Sequence, residues 1–250
     1  GNAAGGGLSL GTVLGCGEAT QRMNNDDSAA RPVRVWDLPT RAFHWLLAVT
    51  VIGSVITAKI GGNAMVWHIR LGLLALALLA FRLVWGFVGG HWSRFRAFTY
   101  SPSSVVAYLR GDAGPGGRFD VGHSPLGALS VFGLLLLLIA QVATGLIADD
   151  EIATTGPLNR YVSSALGLRA TSWHNTFGQY LIITMVVLHI AAVLFYLFKK
   201  QRNLIGPMWH GDKRLAAGTP ASADGAAQRV LAALLIAVAF GVSWWIARLA

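Results

Sequence analysis

The sequence predicts an all-α integral membrane protein: a four-helix transmembrane bundle with one additional C-terminal transmembrane helix. Three observations carry that prediction. Of 250 residues, 54% are hydrophobic and only 12% are charged, with a mean hydropathy of +0.54, whereas a soluble domain carries roughly 25% charged residues. The apolar residues gather in five runs of about twenty, the length a helix needs to cross about 30 Å of hydrocarbon. The basic residues, in turn, collect in the connections between those runs. Helix follows because lipid offers no partner for unpaired backbone groups.

In chain order, residues 1–30 are rich in Gly, Ala and Asn and read as an extended, mobile tail. Within it Val13-Leu14-Gly15-Cys16 faintly resembles a lipoprotein cleavage box, but no basic stretch precedes it and its apolar run is short. Residues 31–214 form the main domain, with spans at 42–60, 67–88, 126–148 and 173–198. Residues 215–229, mostly small, read as a linker, and 230–250 carry the fifth span, an appendage to the four-helix unit. No internal repeat is present.

The net charge of +9 does not indicate a nucleic-acid partner, because its distribution follows the positive-inside rule. Arg22, Arg31, Arg34 and Arg41 precede the first span; Arg94, Arg96, Arg110 and Arg118 lie between the second and third. Lys199, Lys200, Arg202, Lys213, Arg214 and Arg229 lie between the fourth and fifth, which makes fourteen basic residues on one side. The other side has five, Lys59, Arg70, Arg160, Arg169 and Arg248, beside the acidic Asp149, Asp150 and Glu151. This asymmetry predicts a cytoplasmic N-terminus and a periplasmic C-terminus. Trp36, Trp67, Trp85, Trp92, Trp173 and Trp209 fall near the expected interfaces, as amphipathic rings should. The single cysteine, Cys16, excludes an intramolecular disulfide and a covalent C-x-x-C-H haem site.

Four histidines stand in or at the ends of the apolar runs: His44, His68, His174 and His189. An imidazole is costly in a bilayer and points to function there. His174 and His189 are fifteen residues apart on one expected helix, about 22 Å along its axis and about 60° apart in direction. His68 and His174 each open a span from the outer side and should meet there. His44 and His189 should meet toward the cytoplasmic side, with His189 somewhat deeper. Two bis-imidazole pairs suit two stacked, non-covalent b haems, since an electron carrier wants two strong axial ligands and no open position. Competing readings are a metal site, a proton relay or solvated span ends. A di-metal site would normally add Glu or Asp within the helices, and these spans contain none.

The neighbours are compatible with that cofactor. Gly72 and Gly178 each follow a histidine by four residues, leaving room for a flat macrocycle one turn on or allowing close helix packing. Arg41 and Arg70 are candidates to pair with haem propionates, or are interface anchors. His123 stands in Gly122-His123-Ser124-Pro125, where Ser124 and Pro125 fit a helix start; it is part of that start, or binds a propionate or a quinone headgroup. His91 and His210 lie in basic loops and read as surface residues.

Several segments together resemble the bacterial cytochrome b561 family, which includes the b-type cytochrome subunits of nickel–iron hydrogenases. They are Trp36-Asp37-Leu38-Pro39-Thr40-Arg41-Ala42-Phe43-His44-Trp45, His68-Ile69-Arg70-Leu71-Gly72, Gly122-His123-Ser124-Pro125-Leu126-Gly127, and Trp173-His174-Asn175 followed by His189. The resemblance covers roughly residues 33–214. It implies a four-helix bundle with two b haems ligated by the matching histidines. It also implies electron transfer between the quinone pool and a redox partner such as a hydrogenase, a dehydrogenase or a cytochrome c. A stand-alone quinol oxidoreductase is the alternative within the family. Asn175 departs from the family, where Glu is expected. No Rossmann fingerprint, P-loop or serine-hydrolase elbow occurs.

Overall fold

The structure is a computed structural model that describes residues 1, 30–111, 119, 121–152 and 154–249. Nearly all of the expected N-terminal tail, with Cys16 and Arg22, lies outside the described residues, as does Arg118. Five helices are long and apolar enough to cross a membrane, which makes this a multi-pass, all-α membrane protein.

The first, α1 (Leu38–Ile60), starts four residues before its apolar core because Asp37 caps it. The Asp37 carboxylate accepts the Thr40 N–H at 2.8 Å, and Pro39 sits in the first turn. Gly61, at φ 68°, ends the helix, a backbone conformation that favours glycine. The second, α2 (Met65–Val88), returns antiparallel. A short surface helix, α3 (Pro102–Arg110), follows. The third span, α4 (Pro125–Ile147), begins at the expected Ser124 cap, whose hydroxyl accepts the Gly127 N–H at 3.2 Å.

The fourth span starts nine residues earlier than its hydropathy suggests. It runs continuously from Ser164 to Phe198 as α5 (Ser164–Ser172), a π turn (Trp173–Gly178) and α6 (Gln179–Phe198). A one-turn helix, α7 (Ile205–His210), precedes the last span, α8 (Ala226–Ala247). One feature is not helical. Strands β1 (Arg31–Arg34) and β2 (Asp212–Leu215) pair antiparallel with Arg31 opposite Leu215.

The helices pack in the order α1 on α2, α2 on α4 and α8, and α4 on α6. Among the long helices α6 packs chiefly on α4. The core runs along α2 through Ala77, Leu78, Phe81 and Trp85, joined by Phe43, Leu135, Leu138, Ile182, Ala232 and Ala239. Outward faces stay apolar: Val49 is 69% exposed and Leu136 68%, as suits side chains solvated by lipid.

The segment between β2 and α8, read from sequence as a linker, is tied to the bundle. The Ser222 hydroxyl donates to the Val35 carbonyl at 2.7 Å and accepts the Trp92 N–H at 3.1 Å. Trp92 Nε1 donates to the Pro220 carbonyl at 2.7 Å. Arg34 meets Asp212 and Asp224, each at 2.6 Å. The fifth helix packs along α2, rather than hanging from the bundle as an appendage.

Candidate functional site

The four span histidines come together as two pairs. The His44 and His189 rings lie 6.4 Å apart between centroids, and the His68 and His174 rings 5.8 Å apart. An iron–imidazole bond of about 2 Å on each side puts the ring centres of a bis-imidazole iron about 6–6.5 Å apart. In both pairs the partner comes from the fourth span, His44 reaching to it from α1 and His68 from α2.

The His68/His174 pair is fixed by the backbone. His68 Nδ1 lies 2.9 Å from the Ser54 carbonyl oxygen, and His174 Nδ1 lies 2.9 Å from that of Gln141. A carbonyl oxygen only accepts, so each Nδ1 carries the proton and each Nε2 keeps its lone pair. That is the tautomer a metal ligand needs. The Gln141 amide closes the arrangement by donating to the His174 carbonyl at 2.9 Å.

His174 sits in the π turn, which the sequence reading of a straight helix did not foresee. A π turn holds one residue more than an α turn. The expected offset of about 60° from His189 therefore becomes about 40° of the opposite sense. Gly145 completes this end: a Cβ there would meet the His174 ring at 2.8 Å. Gln141, Gly145 and Ser54 were not legible as site residues. The only sequence signal was Gly145 one turn after Gln141 on the same helix face.

At the other end no backbone anchor of this kind occurs among the described residues. His44 Nδ1 is enclosed and without a hydrogen-bond partner among the described residues. Trp45 stands edge-on to His44 at 5.0 Å.

The remaining candidates divide. A Cβ on Gly72 would meet nothing within 4 Å, so this position has the room expected of a cradle. Gly178 is different: its missing Cβ makes way for Gln141 and Trp173, which is close helix packing. Arg70 is exposed with its guanidinium 5.0 Å above Trp67, the posture of an interface anchor. Arg41 donates to the Trp209 carbonyl at 2.6 Å, and its Nε is enclosed without a partner. His123 lies between Trp36 at 4.7 Å and Phe98 at 4.5 Å, with an enclosed, unpartnered Nδ1. Burial first, then the charges of Arg82 and Lys213, pushes its pKa down to about 3. Asn175 is exposed, and His174 takes its backbone partner from α4 instead.

The opening motif has a structural task as well. Asp37, 0% exposed, accepts from Thr40 N, Trp85 Nε1, Gly90 N and Ser93 Oγ. It thereby locks the start of α1 to the end of α2. A Cβ on Gly90 would collide with that carboxylate.

Comparison with known proteins decides the lineage. The family model described as prokaryotic cytochrome b561 matches residues 35–211. The chain belongs to that family. It is 25% identical over 212 residues to the probable Ni/Fe-hydrogenase 1 B-type cytochrome subunit of Escherichia coli K12, covering 71% of this chain and 88% of that one. It is 22% identical over 230 residues to the probable Ni/Fe-hydrogenase B-type cytochrome subunit of Bradyrhizobium diazoefficiens, covering 76% and 90%. No solved structure matches. Membership of this cytochrome b561 family brings with it haem b and electron transport. Among the described residues no three His, Cys, Asp or Glu side chains gather as a metal-ion site.

Proposed function

We propose that the chain is a dihaem b-type cytochrome that transfers electrons between the membrane quinone pool and a redox partner, as a subunit of a respiratory or related complex. The observation that carries this is the pairing of rings at 6.4 and 5.8 Å at two levels of one bundle. His44 with His189, and His68 with His174, would hold the two haems. Haem bound there would supply one-electron chemistry. The chain's own residues do the rest. Ser54 and Gln141 hold two imidazoles in the ligating tautomer, Gly72 and Gly145 make room, and the apolar helix faces exclude water. Arg41 is placed to meet a charged group at the His44/His189 end.

The hydrogenase names of the relatives favour a hydrogenase as the partner, docking on the side of Asp149, Asp150 and Glu151. Basic-residue asymmetry favours a cytoplasmic N-terminus and a periplasmic C-terminus. Reporter fusions after Arg214 and Leu249 should then fall on opposite sides, and the same side for both would overturn that topology.

Haem extraction from the purified chain should give two haems b per polypeptide. A value near one, or none, would refute the pairing. Purification in mild detergent should recover a hydrogenase with the chain. Quinol oxidation by the isolated chain with a soluble acceptor would instead favour a stand-alone oxidoreductase.

A further inference from the structure

We propose that Arg82 and His123 form a carboxylate-binding site that holds a propionate of the haem between His44 and His189. The inference rests on the dihaem reading above and adds to it a residue that the sequence did not single out.

Arg82 lies on α2, only 3% exposed. A guanidinium carries five N–H donors and no acceptor, and burying it unpaired is costly. Yet Arg82 donates to no acceptor among the described residues, and its Nη1 is enclosed and unpartnered. The opposite charge acting on it is Asp37. That carboxylate already accepts from two backbone N–H groups, one indole and one hydroxyl, which fills its roughly four lone-pair sites. Arg82 therefore feels Asp37 but has no direct hydrogen-bonded anion.

The guanidinium is aimed by aromatic packing. Its Cζ lies 4.8 Å above the Phe95 ring. Gly86, one turn further along α2, lets that ring press against the helix, since a Cβ there would overlap it. Phe95 packs on Phe98 at 6.0 Å, and Phe98 on His123 at 4.5 Å. His123 adds the second enclosed, unpartnered nitrogen of the cluster. The charges that act on it are those of Arg82 and Lys213, and the His189 and His44 imidazoles are near enough to act on it as well. The cluster thus belongs to the His44/His189 end, and among the described residues neither Arg82 nor the His123 Nδ1 has an anion hydrogen-bonded to it.

Depth selects which anion. Arg82 is six residues from the end of α2, and His44 six from the start of α1. In antiparallel neighbours both lie about 9 Å inside the helix ends. A lipid phosphate stays at the membrane surface, outside an enclosed Nη1. A propionate on a macrocycle between His44 and His189 arrives from within the bundle at that depth.

The test uses the full chain in nanodiscs, with haem content and the midpoint potential of each haem as readouts. His44→Ala identifies which potential belongs to the His44/His189 haem. Arg82→Leu should lower that potential alone by about tenfold in the oxidised-to-reduced ratio, about 59 mV for one electron, or lose that haem alone. Arg82→Lys should restore most of the effect, and His123→Leu should shift the same haem in the same direction by less. Chains reconstituted with haem dimethyl ester, which lacks free propionates, should show no difference between wild type and Arg82→Leu. Unchanged or equally shifted potentials at both haems would overturn the site. So would an Arg82 effect that persists with the ester and vanishes when phosphatidylglycerol is replaced by phosphatidylcholine, which would assign the anion to lipid. Wild-type protein with fewer than two haems would refute the dihaem reading itself, whereas two haems with potentials indifferent to Arg82 would refute only this site.

Discussion

The two histidine pairs share one helical run but are held by different physics. At the His68/His174 end both imidazoles donate to backbone carbonyls, the ring of His174 rests against Gly145, and the π turn sets its direction. At the His44/His189 end His44 Nδ1 has no partner among the described residues, and two cations, Arg41 and Arg82, stand near it beside the neutral His123. One end is oriented by main-chain geometry, which fixes angle and tautomer before any cofactor arrives. The other is defined by charge that a cofactor's own carboxylates would complete. Main-chain anchoring favours rigidity, and uncompensated cations favour dependence of the site on what binds.

The largest effect to test this contrast is ligand loss. His174→Ala should remove the haem at its end and leave the other, and His189→Ala should do the reverse, each read as one haem per chain. If either variant kept both haems, α6 with its π turn would not be the shared ligand helix.

Next is Gly145→Ala. Its Cβ would press on the His174 ring at 2.8 Å, an overpacking that costs typically about 1–3 kcal/mol. The His68/His174 haem should bind more weakly while the other is unaffected. Gly241→Ala, where a Cβ meets nothing within 4 Å, is the control. Equal loss at both ends would erase the contrast.

A smaller, spectroscopic difference follows from ring planes that cross at 86° in one pair and 53° in the other. Near-perpendicular imidazoles bring two iron d orbitals close in energy. The His68/His174 haem should therefore give the more anisotropic low-spin EPR signal, assigned with the two alanine variants. Identical signals would mean that the ends are held alike.

The smallest effect concerns the strap outside the spans. Burial raises the Asp224 pKa, but the Leu38 N–H, Arg229 and Arg34 outweigh it and hold the carboxyl below its ordinary 3.8. A depressed carboxylate contributes stability above its unfolded pKa and loses it as pH falls through the folded one. Asp224→Asn should lower the thermal midpoint slightly at neutral pH and shrink its decline below about pH 4. An unchanged acid limb would show that the strap adds nothing.

The membrane spans were legible because their signal is one-dimensional: length and apolarity follow directly from the thickness of hydrocarbon. The Ser124 cap and the histidine depths were legible for the same reason, being set by local chemistry and by rise per residue. What the sequence misjudged was relational. It read residues 215–229 as a linker because they are mostly small, and it did not see that Ser222 and Asp224 work through partners far away in the chain. It passed over the β1–β2 ribbon because two four-residue strands, far apart in the chain, pair only across the fold. Neither Arg82 nor Gln141 stood out from residue type and spacing alone.

By itself, then, the chain determined five spans, the Ser124 cap and four histidines at two depths, because each depends on residue type and spacing along a single helix. Tertiary structure alone decided the π turn under His174, the carbonyls that orient His68 and His174, and the enclosure of Arg82 beside His123. Each of these needs two or more helices to meet, and backbone carbonyls and enclosed cations gain their meaning only from what packs against them.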